Sequence, residues 1–248
     1  MILAVCGKGG VGKTTVTALT ARAFLRSSNE KVLFIDADPA GGLGLALGIN
    51  PKMTLEDVRK ELSAEIKAGS KDKVEIALSA DYLIARALEE RENLAFLSIG
   101  RPEDEGCYCR VNVLLKDAIE LLAGEFDHVI VDAEAGIEQV NRRVLSSVNS
   151  LLLVCDLSVK ALRVAETIVR VGNRISGEKM NKVVFNRVTD SRLIPDFSSV
   201  TSLDFAGWIP EDEEISRFDE KAISFFDLPD CNASVVVEKI VRDIGLFS

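Results

Sequence analysis

The sequence has no apolar run of bilayer length. Its longest runs, Ile2 to Cys6 and Leu151 to Cys155, stop far short of the roughly 20 residues that a crossing helix needs. No cationic segment precedes the first run, so the expectation is a cytoplasmic chain without a secretory leader. Basic residues are in deficit: 30 Lys and Arg stand against 39 Asp and Glu, a formal net charge of −9. That balance argues against a broad nucleic-acid-binding surface. The five cysteines are an odd number, so free thiols or metal ligands are expected rather than a disulfide framework. The single histidine, His128, falls in a strand-like run and is expected at the edge of the core rather than as a ligand. What remains is ordinary globular material, 47% apolar and 28% charged over 248 residues. Disorder and low complexity are excluded, and one large domain is expected rather than two.

Strand-length apolar runs recur at Ile2 to Cys6, Lys31 to Asp36, Leu94 to Ile99, His128 to Asp132, Ser150 to Cys155, Lys182 to Asn186 and Leu203 to Ile209. Several are continuous rather than alternating, as strands buried on both faces must be. Helical patterns lie between them at Lys13 to Arg26, Val111 to Ala123, Val159 to Ile175 and Ala233 to Ile244. The alternation predicts an α/β fold, a mostly parallel sheet with helices on both faces and ligands at the carboxyl ends of the strands. The charge-rich stretch of about 51–91 is expected to be a helical insertion within a single domain spanning 1–248. In the last helix Val237, Ile240, Val241 and Ile244 form an apolar stripe with mixed charges beside it. That pattern describes a docked core helix rather than a basic membrane-binding one.

Directly after the first strand comes Gly7-Lys8-Gly9-Gly10-Val11-Gly12-Lys13-Thr14. This matches G-x-x-x-x-G-K-[ST] with a strand before and a helix after, the context a phosphate loop requires. The glycines let backbone N–H groups close around phosphate oxygens, and the helix directs its positive end there. Gly9 to Gly12 and Thr15 belong to the nucleotide-binding loop, Lys13 would reach the β- and γ-phosphates, and the Thr14 hydroxyl would ligate Mg²⁺. The second lysine, Lys8, is not needed for a phosphate loop. With it, Lys-Gly-Gly-Val-Gly-Lys-Thr resembles the deviant Walker A motif of the MinD/ParA/nitrogenase-iron-protein ATPases, P-loop NTPases of the SIMIBI class.

That resemblance implies Mg²⁺-dependent ATP hydrolysis to ADP and phosphate, and ATP-promoted homodimers in which Lys8 reaches the partner's nucleotide. Asp36-Ala37-Asp38-Pro39 is similar to the family's switch I. Its second carboxylate, Asp38, would orient or deprotonate the attacking water, and Asp36 would sit near Mg²⁺ through water. Asp132-Ala133-Glu134-Ala135-Gly136 resembles a Walker B aspartate followed by a switch II glycine. Asn186-Arg187 matches the position from which the family reads adenine, and Trp208-Ile209-Pro210-Glu211-Asp212 resembles the later loop that packs on the same base.

The Gly106-Cys107-Tyr108-Cys109-Arg110 segment is expected between the insertion and the helix from Val111, away from any core strand. Two thiolates from one chain leave a tetrahedral site half filled, and a two-fold axis beside them would supply the other pair. Such a closed S₄ site suits Zn²⁺, Ni²⁺ or an iron–sulfur cluster. Taken in order, the deviant Walker A, Asp-Ala-Asp-Pro, Cys-Tyr-Cys-Arg and Asp-x-Glu-Ala-Gly-Ile-Glu resemble the CooC/AcsF-type ATPases, maturation factors for carbon monoxide dehydrogenase and acetyl-CoA synthase. That resemblance implies Ni²⁺ or Zn²⁺ held between subunits by Cys107 and Cys109. It also implies ATP turnover coupled to nickel insertion into a client nickel–iron–sulfur enzyme, with neither nucleic acid nor membrane as partner. An iron–sulfur cluster carrier is the nearest alternative, although its cysteines are usually spaced C-x-x-C. A MinD/ParA-like partitioning or positioning ATPase is an alternative of a different class, a regulatory switch that leaves Cys-Tyr-Cys unexplained. Cys6 and Cys155 lie in strand-like runs and are expected to be small hydrophobes.

Overall fold

The continuous apolar runs fold as strands with both faces covered. In the computed structural model, which describes residues 1–69, 72–102, 105–134, 146–177, 180–199 and 201–247, β2 (Val32–Asp36), β4 (Leu94–Ser98) and β6 (Ser150–Cys155) are buried along their whole length. With β1 (Ile2–Gly7), β3 (Glu89–Arg91), β5 (His128–Asp132), β7 (Met180–Val188) and β8 (Asp204–Pro210) they form one sheet in the order β3-β4-β2-β5-β1-β6-β7-β8. Each neighbouring pair is parallel except β3 with β4.

The order matters more than the strand count. β1, which leads into the phosphate loop, lies between β5 and β6, and β2 lies on the far side of β5. The ladders align Val5 with Asp132 and Asp36 with Asp132. Two carboxylates nearly 100 residues apart in sequence therefore arrive together at the carboxyl edge, the expected ligand edge of a parallel sheet.

Helices α1 (Lys13–Ser27), α2 (Gly42–Leu47), α5 (Glu105–Leu122), α6 (Val159–Ser176), α7 (Ile194–Ser199), α8 (Glu213–Glu220) and α9 (Asn232–Asp243) connect or cover the strands. The core under α1 is aromatic: fully buried Phe24 meets Phe34 and Phe247 edge-on. Val237, Ile240 and Val241 of α9 are buried, as expected of a docked helix.

The stretch of about 51–91 departs in part from its sequence expectation. It holds two helices, α3 (Leu55–Ala68) and α4 (Lys73–Arg86), each opened by a capping box, Thr54 with Asp57 and Asp72 with Glu75. It then ends in the strand β3, which adds to the sheet. A Glu-Glu-Arg strand carries no apolar periodicity, and charge is how an exposed edge strand resists further pairing. Two more boundaries shift. α5 begins at Glu105 rather than Val111 and so takes in Cys107 and Cys109, and Trp208 to Pro210 belong to β8 rather than to a loop. Val111 opens the apolar stripe that α5 turns to the core, and an apolar pattern marks only the part of a helix that is buried. No helix among the described residues is long and apolar enough to cross a membrane.

Candidate nucleotide-binding site

The phosphate loop takes its shape from two glycines in the left-handed region, Gly10 at φ 82° and Gly12 at φ 89°. Gly12 precedes α1, and no side chain among the described residues caps that helix, so its first N–H groups stay directed at the space before the loop. The loop is braced from β7. Asn186 Nδ2 donates to the Val11 carbonyl at 2.8 Å and Arg187 donates to the Gly10 carbonyl at 3.4 Å.

Two adjoining cavities meet here. The first, about 370 Å³, is lined by Gly12, Lys13, Thr14, Asp38, Arg187 and Phe218. The second, about 240 Å³, is lined by Thr15, Asn186, Arg187, Pro210 and Ile215. Thr15, Arg187 and Asp219 line both. One compartment at the phosphate loop and one beside Asn186 and Pro210 thus sit side by side, and residues far apart in the chain converge on them. Trp208 instead lines a separate depression beyond Pro210.

The carboxylates fall into distinct environments. Asp132 is buried, and its Oδ2 accepts from the Thr14 hydroxyl at 2.7 Å. Burial pushes its pKa up to about 7; Asp36 raises it further, and the Thr14 and Thr17 hydroxyls with Lys13 work against that rise. Asp36 is pushed up to about 6, again chiefly by burial. Its Oδ2 accepts N–H from Leu43 and Gly44 and its Oδ1 accepts from Asp38, so the carboxylate anchors the segment that carries Asp38 and opens α2. With both oxygens engaged by backbone, Asp36 suits contact with a cation through water. Two buried carboxylates on neighbouring strands beside a threonine hydroxyl make an all-oxygen donor set, which fits Mg²⁺. Thr14, Asp132 and Asp36 are the residues that would hold it. Asp38 is half-exposed, lines the phosphate cavity, and is held in a tight turn by the Ala40 N–H at 2.9 Å.

Lys8 does not enter either cavity wall. Its Nζ lies 3.3 Å from Asp156 Oδ2 of its own chain, just past β6, and Asp156 Oδ1 accepts from the Ser158 hydroxyl. Motif reading does not single out Asp156, although a carboxylate at the carboxyl end of a buried strand is a detectable signal. Nor does it find Thr17, whose hydroxyl reaches Asp132; its place one turn after Thr14 on α1 is the clue.

The other described cysteines and the histidine are absent from the lining of both cavities. Cys6 and Cys155 are buried and their thiols are pushed up to about 12 by burial, so they act as small hydrophobes. His128 sits at the amino edge of the sheet, bonded to Glu30 at 3.0 Å, with its pKa lowered by burial and by the amino-terminal charge. Cys231 occupies the position before α9, where its N–H donates to Ser234 Oγ. Gly136 and the side chains of Cys107 and Cys109 lie outside the described residues. Among the described residues no group of three or more His, Cys, Asp or Glu side chains is arranged to hold a metal ion.

A doubly covered parallel sheet with a glycine phosphate loop at its central strand and paired carboxylates beside it defines a P-loop ATPase. The chain belongs to the family described as the CobQ/CobB/MinD/ParA nucleotide binding domain, whose model matches residues 2–225. It is 34% identical over 254 residues to an uncharacterized ATP-binding protein of Methanocaldococcus jannaschii, covering 98% of this chain and 99% of that one. It is 28% identical over 261 residues to the carbon monoxide dehydrogenase accessory protein CooC of Rhodospirillum rubrum, covering 99% of this chain and 98% of that one. Its fold is similar to the septum site-determining protein MinD of Pyrococcus horikoshii complexed with Mg-ADP, with a TM-score of 0.72 and 21% identity over 98% of this chain and 95% of that one.

Proposed function

We propose that this ATPase is a metallochaperone of the CooC type. ATP and metal promote its homodimer, and hydrolysis is coupled to delivery of nickel into a client nickel–iron–sulfur enzyme. The observation that carries this reading is the position of Cys-Tyr-Cys. Ser98 pairs with Asp36 across β4 and β2, and the Ile99 N–H bonds the Asp36 carbonyl at 2.9 Å. A short connection then leads into α5, which takes in Cys107 and Cys109 near its start. The C-x-C segment therefore follows the strand β4, which ends at the carboxyl edge of the sheet paired with the strand whose carboxylate anchors switch I. The full-length likeness to CooC supports the same reading.

In the mechanism, Lys13 and the loop amides bind the phosphates, and Asp38 orients the attacking water and accepts its proton; Thr14, Asp132 and Asp36 would hold Mg²⁺, which would supply positive charge to offset that of the phosphates. Asn186 and Pro210 receive the base, with Asn186 Oδ1 accepting from an adenine amino group while one Nδ2 proton is given to the Val11 carbonyl. Lys8 leaves Asp156 and crosses to the partner's nucleotide. Cys107 and Cys109 from both subunits close a four-thiolate site for the cargo metal.

Two experiments test this. Anaerobically purified protein should bind one Ni²⁺ or Zn²⁺ tightly per dimer, and Cys107→Ser or Cys109→Ser should remove that binding, because either change takes two of four thiolates from a symmetric site. One ion per monomer, or retention by the double serine variant, defeats the shared site; a brown cluster-bearing protein supports the iron–sulfur carrier instead, and no metal at all supports the regulatory switch. Separately, Lys8→Ala should abolish ATP-induced dimerisation and turnover while a single subunit still binds nucleotide, which sedimentation and a binding titration distinguish. Unchanged dimerisation would return Lys8 to its bond with Asp156 as its whole role.

A further inference from the structure

Thr17 is a fully buried hydroxyl with two acceptors in reach: the Lys13 carbonyl at 3.0 Å and Asp132 Oδ1 at 3.3 Å. A hydroxyl has one proton to give. Two other helical threonines show what happens when the carbonyl four residues back is the acceptor: Thr20 and Thr167 each donate to theirs at 2.8 Å. Thr17 keeps that carbonyl within reach at 3.0 Å and has the carboxylate as a second acceptor at 3.3 Å, a choice between acceptors that Thr20 and Thr167 are not shown to have. Thr14 and Thr17 lie one turn apart on α1, so the same helix face addresses both oxygens of Asp132, Oδ2 from Thr14 and Oδ1 from Thr17. A carboxylate held at both oxygens from one rigid element is fixed in its rotation about Cβ–Cγ, which is what a metal-holding group needs from its surroundings.

We infer that Thr17 is a positioning residue for the Mg²⁺ site, holding Asp132 at Oδ1 so that its carboxylate faces the cation bound beside Thr14. The inference rests on Thr14 and Asp132 being the Mg²⁺ residues. It assigns Thr17 a role beyond helix packing, and it separates Thr17 from Thr20, whose hydroxyl donates to the Val16 carbonyl instead.

The test is a titration of free Mg²⁺ against the binding of a fluorescent ADP analogue to the full chain, which reads cation affinity without turnover. Thr17→Val, close in shape but without the hydroxyl, should raise the Mg²⁺ concentration for half-maximal enhancement on the order of tenfold. Thr17→Ser should restore it, and Thr20→Val should leave it unmoved. Thr17→Ala gives the same readout if the valine variant does not fold. Melting temperature is measured alongside, since a purely structural role lowers it in Thr17→Val while leaving the Mg²⁺ midpoint unchanged, and that result overturns the inference. Asp132→Asn separates the two levels. If Asp132→Asn shifts the midpoint and Thr17→Val and Thr17→Ala do not, Thr17 has no positioning role; if Asp132→Asn shifts nothing either, the Mg²⁺ assignment itself fails.

Discussion

Asp38→Asn should reduce ATP turnover on the order of 10²-fold while leaving nucleotide affinity nearly intact. Asparagine keeps the size of the side chain and its oxygen can still accept the Ala40 N–H that shapes the turn. It cannot take a proton from water. Asp38 lines the cavity at the phosphate loop without bracing the loop, so under the proposed mechanism the ground-state complex loses little and the transition state loses its base. Steady-state hydrolysis beside a nucleotide-binding titration checks this, and turnover at the wild-type rate would place the water-activating group elsewhere. Lys13→Ala is the contrast, since Lys13 lines the same cavity from the phosphate loop and its loss should weaken binding as well.

Gly12→Ala should destroy nucleotide binding and destabilise the fold by about 2–4 kcal/mol, combining left-handed backbone strain with the loss of a buried hydrogen bond. At φ 89° an alanine is strained wherever it points, and here its Cβ would overlap Asn186 Nδ2, closer than real Cβ atoms approach. Asn186 would have to leave the Val11 carbonyl, so the phosphate loop and the base-side amide move together. Gly10 separates the two effects: it has φ 82° but open space where a methyl group would stand, so Gly10→Ala should show the strain alone, about 1–2 kcal/mol. Denaturant unfolding of both variants, with Asn186→Ala added to Gly12→Ala to remove the clash, measures each part. Equal losses for Gly10→Ala and Gly12→Ala would mean that the bracing from β7 contributes nothing.

Gly12, Lys13, Thr14 and Asp38 are legible in the sequence because their motifs are local chemistry: a strand, a glycine turn and a helix start, or a carboxylate at a strand end, all within neighbouring residues. The strands are legible for a similar reason, since burial on both faces leaves continuous apolar runs such as Val32–Asp36 and Ser150–Cys155. β3 is not, because an edge strand of Glu-Glu-Arg is shaped by pairing with β4 and by solvent rather than by burial. The bond from Asn186 to Val11 is equally silent, since it joins residues 175 positions apart.

The sequence by itself determined the class of fold, the phosphate loop and the strand-end carboxylates, because each depends on the order of residues along a few turns of chain. Tertiary structure decided which of them meet. Placing β5 between β1 and β2 sets Asp132 beside both Thr14 and Asp36, and placing β6 and β7 on the other side brings Asp156 to Lys8 and Asn186 to Val11. Strand order is fixed by how helices of this length pack back onto a twisted sheet, a property of the whole assembly that no local stretch encodes. The raised pKa values of Asp36 and Asp132 follow from that packing as well, since the desolvation behind them exists only once the strands on either side are in place.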